Sequence, residues 1–164
     1  MCSALATGLR SDAPGGHARM ADPFNLQRFV DAQERVIESV RAELRSGCKR
    51  GHWIWFIFPQ LKGLGQSATS QMFGISSLSE AGAYLAHPIL GPRLVECTRL
   101  VNAVAGRSAE QIFGDIDAMK FRSSMTLFAQ ADLQNPVFQG ALEKYYGGDF
   151  DYLTVSLLDR SPTP

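Results

Sequence analysis

His52-Trp53-Ile54-Trp55-Phe56-Ile57-Phe58-Pro59-Gln60 is the stretch on which the fold class turns. Residues 53–58 are apolar on every face, so the alternation that would mark a half-buried strand is missing. A short buried strand or a buried helical segment satisfies such a run equally. Pro59 closes it. No second segment has convincing strand patterning, and a lone strand leaves its backbone N–H and C=O groups without partners. The run is therefore read as a loop or short helical turn within a helical fold.

The flanking sequence supports that reading. Asp22-Pro23 has the form of a helix opening, a capping acid followed by proline where its missing N–H costs nothing. Leu26, Phe29, Val30, Val36, Ile37, Val40 and Leu44 then recur at helical spacing until Ser46-Gly47. Ser77-x-x-Glu80 and Ser108-x-x-Gln111 fit the capping box. Gly91-Pro92, Asp115 and Asn135-Pro136 mark three further openings, Gly147-Gly148 a stop, and Asp149 or Asp151 a last short helix. The expectation is all-α: a compact single-domain multihelical fold of about six to eight helices. Residues 1–20, rich in Gly, Ala and Ser, read as a disordered tail or misassigned start with Met20 as the alternative first residue; 21–158 as the helical domain; 159–164 as a loose end.

Composition narrows the function classes. With 164 residues, 45% hydrophobic and a formal net charge of zero, the chain reads as one globular domain. Zero net charge disfavours general nucleic-acid binding, which rests on neutralising phosphates. No apolar run has the length of a membrane span, and the first nineteen residues lack the apolar core of a secretory signal. Cys2, Cys48 and Cys97 are odd in number and widely spaced, with neither a disulfide framework nor a zinc-ligand pattern. A cytoplasmic protein with no metal and no cofactor is expected.

Between Glu43 and Glu80 there is no carboxylate, while Arg45, Lys49, Arg50, His52 and Lys62 surround both tryptophans. An indole face stacks on a base for roughly 1–3 kcal/mol in nucleic-acid binders, and Arg50 and Lys62 supply an anion partner. Gly63 and Gly65 allow close backbone approach, although Lys62-Gly63-Leu64-Gly65 lacks the GK[ST] element of a P-loop. Farther on, Arg122-Ser123-Ser124-Met125-Thr126 puts small hydroxyls on an apolar helix face. They either bond back to helix carbonyls in close packing or line a polar cavity. The expected site is a pocket for a small anionic aromatic ligand, a nucleotide or ADP-ribose-like compound, built from Arg50, Trp53, Trp55, Gln60, Lys62, Gly63, Gly65, Arg122, Ser123, Ser124 and Thr126. His52 is its candidate acid or base should the ligand be hydrolysed. No nucleophile elbow or paired-carboxylate pattern fixes a reaction. The alternative is a protein-interaction domain with the tryptophans as an exposed docking patch; its partner is not specified by any motif.

The run His52 to Gly65 resembles the hallmark of a bacterial family, domain of unknown function 1810. Asp22-Pro23-Phe24, Arg28-Phe29, Phe73-Gly74-Ile75, Tyr84-Leu85, Leu90-Gly91-Pro92-Arg93-Leu94, Ile112-Phe113-Gly114 and Ser123-Ser124-Met125-Thr126-Leu127-Phe128 match its pattern too, spanning about residues 21–158. The resemblance implies a compact, largely helical domain and brings no activity, cofactor or catalytic residue. Some members carry the label calpastatin. Inhibitors of that kind are long, disordered and poor in hydrophobic residues, and this composition is the opposite.

Overall fold

The computed structural model describes residues 21–161, so the expectations for residues 1–20 and for the last three residues lie outside it. Within these bounds the chain forms ten helices and no strand. They are α1 (Gln27–Glu34), α2 (Ile37–Ser46), α3 (Ile54–Ile57), α4 (Ala68–Phe73), α5 (Leu78–Ala86), α6 (Leu90–Asn102), α7 (Ala109–Phe113), α8 (Asp115–Ala131), α9 (Pro136–Tyr146) and α10 (Tyr152–Arg160). The all-α reading holds. The count of six to eight does not, because one continuous pattern is broken and single turns become helices.

The break separates α1 from α2. At Val36 (φ −123°, ψ −10°) the chain tightens into a turn, with Val36 N–H donating to the Gln33 carbonyl at 3.0 Å, before the helix restarts at Ile37. One amphipathic pattern thus serves two helices. Between the helices opened at Ser108 and Asp115, α7 and α8, stands Gly114, whose φ of 82° and ψ of 163° lie in a region open essentially to glycine alone. The Asp22-Pro23 opening is also displaced: Asn25 takes a φ of 50°, and the helix starts at Gln27. Asp22 still caps it, accepting the Leu26 and Gln27 N–H groups at 2.7 and 3.0 Å. The Ser108–Gln111 capping box is complete. At the other predicted box Ser77 caps α5, but the Glu80 carboxylate turns elsewhere.

The aromatic run becomes the single turn α3, and only beyond Pro59 does the backbone extend. There Lys62 N–H donates to the Ile75 carbonyl at 2.7 Å and Ile75 N–H to the Gln60 carbonyl at 2.9 Å, a lone parallel bridge. Around α3 the core is aromatic. Phe58 meets Phe121 edge-on at 4.9 Å, Phe121 stacks on Phe113 at 4.7 Å, and Phe29 meets Tyr84 edge-on at 5.1 Å. Helix α8 runs through the middle, packed against α3, α5, α7, α9 and α10. No helix among the described residues is long and apolar enough to cross a membrane.

Two buried polar groups join the N-terminal helices to this core. Gln33 donates to the Phe56 carbonyl at 2.7 Å and to the Tyr84 hydroxyl at 3.0 Å. Arg28 uses all five guanidinium donors, on the carbonyls of Phe24, Asn25, Met72 and Gly74 and on the Glu80 carboxylate. Glu80 is buried, and the ion pair is 2.8 Å long. Removing one member of a buried pair strands the other charge. Arg28→Met is expected to lower the unfolding free energy by about 3 kcal/mol in urea titration, and adding Glu80→Gln to it recovers part of the loss.

Candidate functional site

Two acids from outside the acid-free stretch hold it in place, Asp117 through the Lys49 charge and Glu43 through N–H groups. Lys49 Nζ stands 2.7 Å from Asp117 on α8 and 5.1 Å from the Trp53 ring centroid. Glu43, at the end of α2, folds its carboxylate over the loop. One oxygen accepts the Arg50 N–H at 2.8 Å, the Gly51 N–H at 3.1 Å and the Trp53 indole N–H at 2.8 Å. Trp53 is 2% exposed. With its ring packed near Phe58 and its one donor engaged, it secures the loop to α2.

Burial pushes the Glu43 carboxyl upward, but the three N–H donors and the nearby Lys49 charge outweigh it and hold the group below its ordinary value. A depressed folded value means that the stabilisation is complete above the ordinary glutamate range and is lost as pH falls through the depressed one.

Trp55 is placed differently. It is half-buried, and Lys120 Nζ lies 4.6 Å over its ring, within cation–π range. Its indole N–H is buried without a partner. Lys120 also approaches Asp117 at 3.4 Å, a weaker contact than the one Asp117 makes with Lys49. Beside Lys120 a hollow of about 210 Å³ opens between the 60–65 loop, one face of α8 and the start of α10. Gln60, Leu64 and Gly65 form one wall, Ile116, Met119, Lys120 and Ser123 the second, and Asp151 and Leu153 the third. Glycine at 65 reflects close approach: a Cβ there would stand 2.4 Å from the Ser70 Oγ, next to the Ser67 cap of α4.

Of the residues expected at the site, Gln60, Gly65 and Ser123 meet in this hollow, and Trp55 touches it through Lys120. The others are elsewhere. Lys62 is exposed and lines a different hollow of about 410 Å³ with Arg28, Met72 and Glu80. Arg50 is exposed, with its backbone N–H on Glu43. His52 is exposed and its ring makes no hydrogen bond among the described residues. Gly63 takes a φ of 101° in the turn. Arg122 donates to the Asp149 and Phe150 carbonyls, both at 3.2 Å.

The hydroxyl helix combines both alternatives. Ser123 donates back to the Met119 carbonyl at 3.1 Å while lining the hollow. Thr126 donates to the Arg122 carbonyl at 2.9 Å and accepts the Asp151 N–H at 2.8 Å. Ser124 is fully buried with no partner for its hydroxyl. Cys97 is buried too, which pushes its thiol up to about 12, with the Glu96 charge adding to the rise.

Sequence reasoning missed Lys120, Ile116, Met119 and Glu43. The signal for the first three was present: 116, 119, 120 and 123 share one helical face. The Glu43 contact is a tertiary return of the chain that spacing does not encode. In denaturant titrations from pH 7 downward, the protein is expected to lose stability as the pH passes below 4.5, the ordinary glutamate value. Glu43→Gln removes that part of the acid slope and lowers the stability at neutral pH.

No curated protein matches the chain. The crystal structure of the conserved hypothetical protein Rv1873 from Mycobacterium tuberculosis is similar at 60% identity, with a TM-score of 0.84, covering 85% of this chain and 100% of that one. The family model described as protein of unknown function (DUF1810) matches residues 23–158, and the chain belongs to that family.

Proposed function

We propose that the protein binds a small anionic aromatic ligand, nucleotide-like in chemistry, in the hollow between the 60–65 loop, α8 and α10. The observation that supports this reading is convergence. Gln60 and Gly65 come from the aromatic segment and Ser123 from the hydroxyl helix, and they line one hollow with Lys120. The Gln60 carboxamide makes no hydrogen bond among the described residues, leaving a donor and an acceptor for a ligand. Lys120 supplies the positive charge, and Leu64, Met119 and Leu153 the apolar walls.

Size limits the occupant. Sites for drug-sized ligands enclose about 300–1,000 Å³, and this one encloses about 210 Å³. It takes a single ring system, with the anionic group held at the rim by Lys120 and any further part of the ligand outside. Binding rather than hydrolysis is the reading favoured: Ser123 is committed to its own helix and His52 is not among the lining residues.

A second reading, a protein-docking surface, is favoured by the rim. Ile116, Met119 and Leu153 are 71%, 70% and 61% exposed, side by side on α8 and α10. Exposed apolar clusters of this kind mark interaction sites.

Thermal-shift and calorimetric titration with AMP and ADP-ribose distinguish the two. Saturable binding is expected, weakened at least tenfold by Lys120→Ala, about 1.4 kcal/mol, and unaffected by Lys62→Ala. Absence of binding, or loss with Lys62→Ala but not with Lys120→Ala, would refute the ligand site.

A further inference from the structure

The third wall of the hollow is attached to the protein in an unusual way. Helix α10 buries only one side chain, Thr154, and packs chiefly on α8. Tyr152 and Leu153, in its first turn, are exposed. Immediately before it Gly147 and Gly148 take φ values of 64° and 82°. Two successive glycines in the left-handed region give the chain a pivot that other residues resist. Between pivot and helix, the exposed residues Asp149 and Phe150 are held by what α8 extends to their carbonyls and by the Asp149 N–H on the Tyr146 carbonyl at 3.1 Å.

What α8 extends is specific. Arg122 donates to the Asp149 and Phe150 carbonyls, and Thr126 accepts the Asp151 N–H. The Asp151 carboxylate in turn caps the helix, accepting from the Thr154 N–H at 2.9 Å and the Thr154 hydroxyl at 2.6 Å. Beyond the cap, Leu157 reaches the turn at Gly63, where a Cβ would stand 3.9 Å from its Cδ1.

We infer that α10 is a hinged wall of the hollow, pivoting at Gly147-Gly148, and that Arg122 and Thr126 are positioning residues that latch it shut. Elements with few buried contacts open at low free energy, ahead of the rest of the fold. Opening carries Asp151 and Leu153 away from Gln60 and Ser123 and widens access to the space beside Lys120. The functional consequence, admission and retention of a ligand, rests on the reading of the hollow given above; the hinge itself does not.

Hydrogen exchange followed by mass spectrometry on the full chain tests it. Amides of residues 152–160 are expected to exchange at least tenfold faster than those in the centre of α8. Arg122→Ala and Thr126→Val should each speed α10 a further tenfold or more while leaving α8 and α9 unchanged. Exchange of α10 at the same rate as α8, or equal acceleration of α8 and α9 in the variants, would overturn the hinge. Added AMP should slow α10 selectively; AMP that binds without doing so also counts against the wall. AMP that fails to bind removes the ligand reading, and the exchange of the ligand-free protein still decides the hinge.

Discussion

The structure depends on burying α8. Nine of its 17 residues are buried, and from Phe121 to Ala129 only Arg122 is not. A helix with so little polar face must be surrounded, and this one has α3, α5, α7, α9 and α10 about it. The requirement also constrains its own polar residues. Hydroxyls inside such a helix have helix carbonyls or a neighbour's backbone as partners. Ser123 and Thr126 take the first course, and Thr126 adds the second by accepting from the start of α10. The exposed side chains of α8, Ile116 and Met119 among them, lie toward Asp115, and there the hollow begins.

Charge follows the same geometry. The acid-free segment packs against the exposed end of α8 and the C-terminal turn of α2, so Lys49 acquires a carboxylate from the first and the Arg50 and Trp53 N–H groups one from the second. Asp117 stands between Lys49 and Lys120 but favours Lys49, at 2.7 against 3.4 Å. The two lysines therefore differ in availability. Lys49 Nζ is also donating to the Gly51 carbonyl and is almost wholly buried, whereas Lys120 rests on an indole face. Among the basic residues near either hollow, Arg28 has no donor left. Beside the hollow at Gln60, Lys120 is the cation that can be redirected at low cost.

Helix class and most caps were legible because both are written locally. Ser67, Ser77, Ser108, Asn135 and Asp151 each accept from a backbone amide of the first turn. The number of helices was less so: nothing in the amphipathic spacing from Leu26 to Leu44 marks the turn at Val36, which serves packing beyond the segment itself. At the site, residue type proved a partial guide. Trp53 and Trp55 are two positions apart in a one-turn helix, and that offset sends one indole to Glu43 and the other beneath Lys120. Neighbours in the 60–65 loop were likewise divided, Lys62 going to one hollow and Gln60 and Gly65 to another.

Side-chain placement explains why, in the proposed ligand site, Gln60 is a better candidate for recognition than the lysine two positions later. Both flank Leu61, which is buried and paired with Ile75. Gln60 donates nothing and accepts nothing with its side chain among the described residues, yet its backbone carbonyl is fixed by the Ile75 N–H at 2.9 Å. Its carboxamide is half-buried and already lines the hollow, so it has less freedom to lose on meeting a ligand than an exposed side chain has. Lys62 has a similarly anchored backbone but a long, exposed side chain, whose ordering costs rotamer entropy that a single surface contact scarcely offsets. In the proposed site, an anchored backbone and a half-buried side chain already in the hollow assign recognition to Gln60 and charge to Lys120.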